Sequence, residues 1–138
     1  MGAALAAVAG SVIGATNAFP VSNMKLITFG EPRVGDHEFM AAHDNLVKYT
    51  SLLKYHYRIT HGRDIVTHIP PKDFLGYFHH RYEVWYDNDM NKGDTYVTCL
   101  SPEEKLCSDQ NWIQLSTKDH QFYFGIDVLD LINNGCRN

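Results

Sequence analysis

The most chemically suggestive feature of this sequence is its start. Met1 and Gly2 stand where the last two residues of a G-x-S-x-G nucleophile elbow would be. In that motif a serine on a sharp strand-to-helix turn attacks a carbonyl carbon, and a helix follows directly. Ala3 to Ala7 supply the small residues expected of such a helix. The sequence therefore predicts that a serine nucleophile precedes Met1, outside these 138 residues.

No serine inside the chain has the surroundings of that motif. Ser11 lies between Gly10 and Gly14, and this glycine spacing differs from that of an elbow. The remaining serines have no elbow sequence around them: Ser22, Ser51, Ser101, Ser108 and Ser116. We expect that none of them replaces the nucleophile.

The first half of the chain predicts alternating helices and strands. Small residues predict a helix over 3–15, and the apolar run Met24–Phe29, closed by Gly30, predicts a buried parallel strand. Asp36 is expected to cap a helix from about His37 to Tyr49. Four apolar side chains at helical spacing form the expected buried face of that helix: Phe39, Ala42, Leu46 and Tyr49.

The second half predicts more strand. Alternating residues indicate strands over Tyr55–Thr60 and Arg81–Asp87, and a short strand over Thr95–Thr98. An amphipathic helix is predicted over Ile126–Asn133, with Gly135 in the left-handed conformation that ends many helices. The order of elements favours an α/β fold with a parallel sheet, in a single domain spanning residues 1–138.

Composition excludes several classes of function. Hydrophobic residues make up 44% of the chain and charged residues 20%, as in ordinary globular proteins. The net charge of −4 and the absence of a basic run argue against a nucleic-acid partner. No apolar segment reaches the roughly 20 residues that span a bilayer.

The longest apolar stretch, Gly2 to Ala18, has an alternative interpretation as a secretory signal peptide cleaved after Ala18. No Lys or Arg precedes it, and alanine and glycine dominate it. The sequence therefore contains no convincing signal peptide.

Three segments carry a recognisable pattern: Ile27–Gly35, Tyr57–Pro71 and Asp119–Gly125. Together they resemble the fungal-type (class 3) triacylglycerol lipases, a branch of the α/β-hydrolases. Ile27–Gly35 is close to the family motif T-[FY]-G-x-P-R-V-G. Tyr57–Pro71 resembles Y-R-[IV]-[TV]-H-x-x-D-x-V-x-x-[LI]-P-P, and Asp119–Gly125 resembles H-x-x-Y-[FL]-G. Their order and spacing extend the resemblance over essentially all 138 residues.

The resemblance implies the two other members of a Ser…Asp…His triad. Asp64 matches the triad acid and His120 the triad base. His120 would take the proton from the serine hydroxyl and return it to the leaving alcohol. Asp64 would hold the imidazole in the correct tautomer and stabilise the imidazolium. Both are expected in loops that follow apolar strands.

The resemblance also implies what lies outside the chain. The 138 residues would form the C-terminal part of an α/β-hydrolase sheet with flanking helices, and the N-terminal strands would be missing. One oxyanion-hole donor would be the backbone N–H of Met1, which here carries a free α-amine. The second donor and the lid helix would belong to the absent half.

The three cysteines are expected to be oxidised. Cys99 and Cys107 flank a polar loop, and a disulfide between them would stabilise the chain by roughly 2–3 kcal/mol. Cys136 is left over, and the resemblance implies a partner for it in upstream sequence. The alternative is three reduced thiols in a cytosolic protein. The disulfide favours a secreted full-length form.

Eight histidines raise the question of a metal site. No H-E-x-x-H or Cys/His zinc spacing is present, and neighbouring histidines such as His56, His61 and His68 suggest no ligand geometry. We predict no metal and no cofactor. His61 is expected to have a structural hydrogen-bonding role beneath the Asp64 loop.

Three functions remain open. The first is a lipid-ester hydrolase that acts at an interface through an acyl-serine intermediate, with the nucleophile upstream. The second is a catalytically inactive, lipase-derived module that binds lipid or protein. The third is an unrelated secreted binding domain with a signal peptide. Phe74 and Leu75 are the expected exposed apolar lip of a substrate site.

Overall fold

A four-stranded mixed sheet forms the centre of the protein. The computed structural model describes residues 1–20, 23–49, 55–110 and 115–136. The strands are β1 (Lys25–Phe29), β3 (Tyr55–His61), β5 (Glu83–Tyr86) and β6 (Val97–Cys99), in the order β1-β3-β5-β6. The first three run parallel, and β6 pairs antiparallel with β5. This is the α/β arrangement that the sequence predicts.

Helices and short hairpins surround the sheet. The helices are α1 (Gly2–Thr16), α2 (His37–Tyr49), α3 (Lys118–Gln121) and α4 (Val128–Asn133). Two further antiparallel pairs join β2 (Gly35–Asp36) to β4 (Tyr77–Phe78) and β7 (Phe122–Tyr123) to β8 (Ile126–Asp127). None of the described helices is both long enough and apolar enough to cross a bilayer.

Helix α1 packs closely on β1 because the residues that face the strand are small. Ala7, Gly10 and Gly14 are its buried positions. A Cβ added at Gly10 would lie 3.5 Å from Cδ2 of Leu26, which is ordinary contact distance. Ala7 and Leu26 form a buried cluster, so the opening helix is packed against the sheet.

Strand β1 is parallel, as predicted, but it is buried on one face only. Leu26 and Thr28 are buried, whereas Ile27 and Phe29 are about half exposed. The strand lies at the edge of the sheet among the described residues, and α1 covers only its inner face. The prediction of a buried strand was therefore wrong for three of its five residues.

Strand β3 buries its polar face. The predicted alternation is confirmed, yet His56, Arg58 and Thr60 are the buried set. Arg58 donates from Nε to the carbonyl oxygen of His80 at 3.2 Å, and Thr60 donates to Oε1 of Glu83 at 2.6 Å. Arg58 and Thr60 thus find partners on neighbouring elements, which is the condition for burying polar side chains. Nη2 of Arg58 and Nδ1 of His56 are buried without a hydrogen bond among the described residues.

Helix α2 has the predicted bounds and cap, but a different buried face. Oδ1 of Asp36 accepts a hydrogen bond from the backbone N–H of Phe39 at 2.9 Å. Ala42, expected to be buried, is exposed, and its neighbour His43 is fully buried. The side chain of Tyr49 lies outside the described residues. The buried face of the helix therefore includes a polar side chain, which hydrophobic spacing does not reveal.

The last strands and helix are shorter than predicted. The strands expected over Arg81–Asp87 and Thr95–Thr98 are observed at Glu83–Tyr86 and Val97–Cys99. Ile126 and Asp127 belong to a hairpin, and Asp127 caps α4 by accepting from two backbone N–H groups of its first turn. Gly135 has the predicted left-handed conformation, with φ of 66°.

A buried ion pair joins the segment after β1 to the loop before α3. Arg33 donates from Nε and Nη2 to the two carboxylate oxygens of Glu103, at 2.8 Å and 2.6 Å. Its Nη1 donates to the carbonyl oxygens of His68 and Pro70. The expected disulfide between Cys99 and Cys107 closes the loop that carries Glu103, and the Cys136 thiol is exposed and unbonded.

We predict that removing one partner of this pair is costly. Arg33→Met in the full-length protein should lower the free energy of unfolding by about 3–5 kcal/mol, because Glu103 is left buried and uncompensated. The double variant Arg33→Met/Glu103→Leu should recover at least about 2 kcal/mol of that loss. Urea unfolding measures both. Equal losses in the two variants would contradict an energetically coupled pair.

Asp109 gives this region a pH dependence. Burial alone would raise the pKa of Asp109. Hydrogen bonding to His68 and Glu103 and the positive charge of Arg33 outweigh burial and lower the pKa from 3.8 to about 2. Because the pKa of Asp109 is lower in the folded protein, its carboxylate stabilises the fold fully at pH values above the ordinary pKa of the group. This contribution to stability is lost as the pH falls through the lowered pKa.

Asp109→Asn should therefore be less stable than the wild type at pH 5 by roughly 1–2 kcal/mol. The difference should shrink between pH 4 and about pH 2. Urea midpoints measured across that range test this, and a difference independent of pH would argue against it.

Candidate active site

Asp64 lies at the carboxyl end of the parallel strands. It follows β3 through the turn His61-Gly62-Arg63, and its side chain is 1% exposed. Its Oδ1 accepts a hydrogen bond from the backbone N–H of Val66 at 2.8 Å. Thr67 donates from Oγ1 to the backbone carbonyl of Asp64 at 2.8 Å. The carboxylate is therefore fixed by its own loop before any other element contributes.

His120 contacts the remaining oxygen of that carboxylate. Its Nδ1 lies 2.8 Å from Oδ2 of Asp64. A carboxylate can only accept, so Nδ1 carries the proton and the lone pair of the neutral ring is on Nε2. The sequence predicted a loop here, but His120 lies in the one-turn helix α3. The helix is anchored where Asp119 donates from its backbone N–H to Oγ of Ser116.

Tyr123 completes the surroundings of the carboxylate. Its hydroxyl lies 3.4 Å from the same Oδ2, as a long hydrogen bond. Burial, and next the negative charge of Asp64, raise the pKa of Tyr123 well above its ordinary value, so the phenol stays a neutral donor. Three donors thus face the buried carboxylate: the backbone N–H of Val66, the His120 ring and the Tyr123 hydroxyl.

Gly30 leaves the space in which the imidazole lies. It follows β1 directly and has φ of 58°. A Cβ at this position would be 2.6 Å from Nδ1 of His120 and 2.9 Å from the hydroxyl of Tyr123. Adjacent parallel strands bring the glycine and the acid to the same edge of the sheet.

A second set of contacts ties the Asp64 loop to α3. The backbone N–H of Arg63 donates to Oδ2 of Asp119 at 2.8 Å, and the N–H of Ile65 donates to the carbonyl of Ser116 at 3.1 Å. The two ring nitrogens of His61 face the carbonyl oxygens of Asp119 and Asn88, at 3.1 Å and 2.8 Å. This contact pattern agrees with the structural role that the sequence predicts for His61.

The open side of His120 is where chemistry can occur. Its side chain is 30% exposed, and no described residue is hydrogen-bonded to its Nε2. A histidine oriented by a buried carboxylate, with its second nitrogen free, can accept a proton from a hydroxyl and later return it. The pair has the geometry of a general base and its orienting acid.

Other predicted site residues stand apart from this pair. Met1 is exposed at the start of α1, and the oxyanion-hole role of its N–H stays a prediction. Ser11 is held inside the fold, donating to the carbonyl of Ala7 and bonded to His43. Phe74 and Leu75 are exposed, as expected of an apolar lip.

Two residues of the site were not predicted to contact Asp64 or His120. Gly30 and Tyr123 both occur within the quoted motifs, as the glycine of T-[FY]-G-x-P-R-V-G and the tyrosine three residues after His120. The motif letters were therefore the available signal. Their function depends on distances to one imidazole ring, which a linear pattern does not contain.

Comparison with known proteins identifies the family of this chain. The family model "Lipase (class 3)" matches residues 1–74. The chain is 33% identical to Lipase ZK262.3 of Caenorhabditis elegans, over 82% of this chain and 38% of that protein. It is 38% identical to a lipase of Rhizomucor miehei, over 78% of this chain and 27% of that protein. The chain belongs to the class 3 lipase family.

Solved structures give the same result. A lipase from Rhizopus microsporus var. chinensis superimposes with a TM-score of 0.76 at 33% identity, covering 91% of this chain and 41% of that chain. A triacylglycerol lipase whose catalytic centre is a serine-protease triad gives a TM-score of 0.70 at 30% identity, covering 91% and 43%. The chain thus spans less than half the length of these relatives.

We predict that Gly30 is needed to position His120. Gly30→Ala in the full-length protein should cost about 1–2 kcal/mol for the left-handed conformation and a further 1–3 kcal/mol for displacing the imidazole. Gly125→Ala is the matched control, because φ is 80° there and a Cβ would meet open space. Thermal unfolding measures the costs, and equal costs would show that the imidazole is not displaced.

Proposed function

We propose that the full-length protein hydrolyses carboxylic esters of lipids through an acyl-serine intermediate, with Asp64 and His120 as the acid and base of its triad. The observation that carries the proposal is the 2.8 Å contact between His120 Nδ1 and a carboxylate oxygen of buried Asp64. Family membership supports the class of reaction, and the triad of a solved relative supports the roles.

The proposed reaction needs a serine that these residues do not supply. We infer that it directly precedes Met1 in the full-length protein, since Met1-Gly2 and the small-residue helix α1 match the end of a nucleophile elbow. His120 Nε2 would take the hydroxyl proton as the serine oxygen attacks the ester carbonyl carbon. The same proton would pass to the leaving alcohol, and water would release the acid in a second, equivalent step.

Surface residues and the disulfide bear on the substrate and the cellular location of the full-length protein. Exposed Phe74 and Leu75 provide apolar contact area for a lipid surface. The disulfide between Cys99 and Cys107 fits an oxidising compartment, and a relative from Malassezia globosa is described as a secreted mono- and diacylglycerol lipase. We therefore propose secretion of the full-length form and action at a lipid–water interface.

Kinetics of the full-length protein test the two triad assignments. Asp64→Asn should lower kcat on a short-chain p-nitrophenyl ester about 10⁴-fold, because the imidazole loses its correct tautomer. His120→Ala should lower it at least as much, since the proton acceptor is gone. Asp87→Asn and His37→Ala, both exposed, should keep wild-type kcat. A fall of less than tenfold in either triad variant would overturn its assignment.

Labelling with a serine-reactive phosphonate tests the nucleophile. Mass spectrometry of the native protein should find the label on a serine joined directly to Met1-Gly2. The 138 residues alone should neither label nor turn over ester. If the native protein shows no label on any serine, the second function, an inactive module that binds lipid or protein, replaces the first.

A further inference from the structure

A second cluster of titratable side chains lies in the core, separate from Asp64 and His120. His43 comes from α2, His56 from β3 and His80 from the connection between β4 and β5. Their ring centroids are 4.3–4.4 Å apart in all three pairs, and each residue is at most 2% exposed. The sequence concealed this grouping, because no two of these histidines are close neighbours in the chain.

The ring nitrogens converge. Nε2 of His43 and Nε2 of His56 are 3.0 Å apart, and one nitrogen from each of the three rings lies within 4.8 Å of the others. Two nitrogens bound to one Zn²⁺ at about 2.0–2.1 Å and a tetrahedral angle are about 3.3 Å apart. Side-chain adjustments of about 1 Å would therefore bring the three nitrogens to ligand distance.

A hydroxyl orients one of these rings as metal ligands are oriented. Ser11 donates from Oγ to the carbonyl of Ala7 at 2.9 Å, so the same oxygen accepts from Nδ1 of His43 at 2.6 Å. The lone pair of His43 is then on Nε2, the nitrogen that faces His56. Metal-bound histidines characteristically donate their other N–H to a hydrogen-bond acceptor in this way.

A buried carboxylate supplies the compensating charge. Oε1 of Glu31 lies 2.6 Å from Nε2 of His80, and Glu31 is fully buried. Because a carboxylate only accepts, Nε2 of His80 carries a proton, and Nδ1, which lies 3.2 Å from the carbonyl oxygen of Arg81, is the nitrogen that would turn towards an ion.

Hydrogen bonds within the described residues do not satisfy the cluster. Nδ1 of His56 is buried and has no partner among them. An unsatisfied buried polar atom costs about 1–3 kcal/mol, so a fully protein-bonded network is an incomplete account of these three rings.

We propose that His43, His56 and His80 bind one Zn²⁺, with Glu31 beside it as the balancing carboxylate. Three imidazoles and a carboxylate suit zinc, and the enclosed position fits a structural ion. The ion would join α2, β3 and the β4–β5 connection. Because Glu31 directly follows Gly30, it would also brace the segment against which His120 rests. This site revises the sequence-based prediction of no metal.

Metal content of the full-length protein tests the proposal. Protein that is produced in the presence of Zn²⁺ and then dialysed should contain about one zinc ion per chain, measured by inductively coupled plasma mass spectrometry. His56→Gln and His80→Gln should contain at least tenfold less. Ser11→Ala and Glu31→Gln should retain zinc but bind it about 10–100-fold more weakly, because they orient ligands. His37→Gln, an exposed histidine of α2, is the matched control and should keep its zinc.

A second measurement avoids variants that fail to fold. The wild-type protein, stripped by a chelator and titrated with Co²⁺, should develop the visible absorption of tetrahedral cobalt, and Zn²⁺ should abolish it. Added Zn²⁺ should also raise the Tm of the stripped protein. A wild type that has no zinc, no cobalt band and an unchanged Tm would overturn the proposal, as would equal zinc loss in His37→Gln.

Discussion

Burial of one carboxylate at the end of a parallel strand constrains the rest of this site. Asp64 is almost completely inaccessible to water, so its charge requires donors within the protein. A backbone N–H, the Tyr123 hydroxyl and the His120 ring provide them. The backbone N–H belongs to the Asp64 loop, the Tyr123 hydroxyl to the β7–β8 hairpin and the His120 ring to α3. The imidazole is therefore positioned by the need to satisfy the carboxylate, and Gly30 leaves the room for it.

The support beneath the site is also polar. Arg33 uses its guanidinium to hold Glu103 and the carbonyls of His68 and Pro70, which lie just beyond the Asp64 loop. His79 adds a hydrogen bond from its backbone N–H to Glu103 and a ring contact to the carbonyl of Thr67. Such bonded polar cores specify one arrangement of loops, because a half-satisfied alternative is costly. The precision of the site thus derives from buried charges more than from apolar packing.

Sequence reasoning recovered what local periodicity and motif order determine. The bounds of α1, β1, α2 and β3 agree with prediction to within one or two residues, and the two candidate triad residues lie together as the resemblance implied. It failed on which faces are buried. Alternation in β3 correctly separated two faces, but a polar face is buried here, where Thr60 bonds to Glu83 of β5 and Arg58 bonds to the carbonyl of His80. The histidine cluster could not be predicted either, because it depends on three elements meeting in space.

The disulfide between Cys99 and Cys107 gives the fold a dependence on its redox surroundings. The bridge closes the loop that presents Glu103 to Arg33, and Glu103 itself holds φ of 51°. Reduction of the disulfide would remove the constraint on that loop and allow the carboxylate of Glu103 to separate from Arg33. The guanidinium would then lose the anion that fixes it against the segment carrying Asp64. In a reducing, glutathione-rich compartment the loop that holds Glu103 would consequently loosen, and with it the support beneath Asp64.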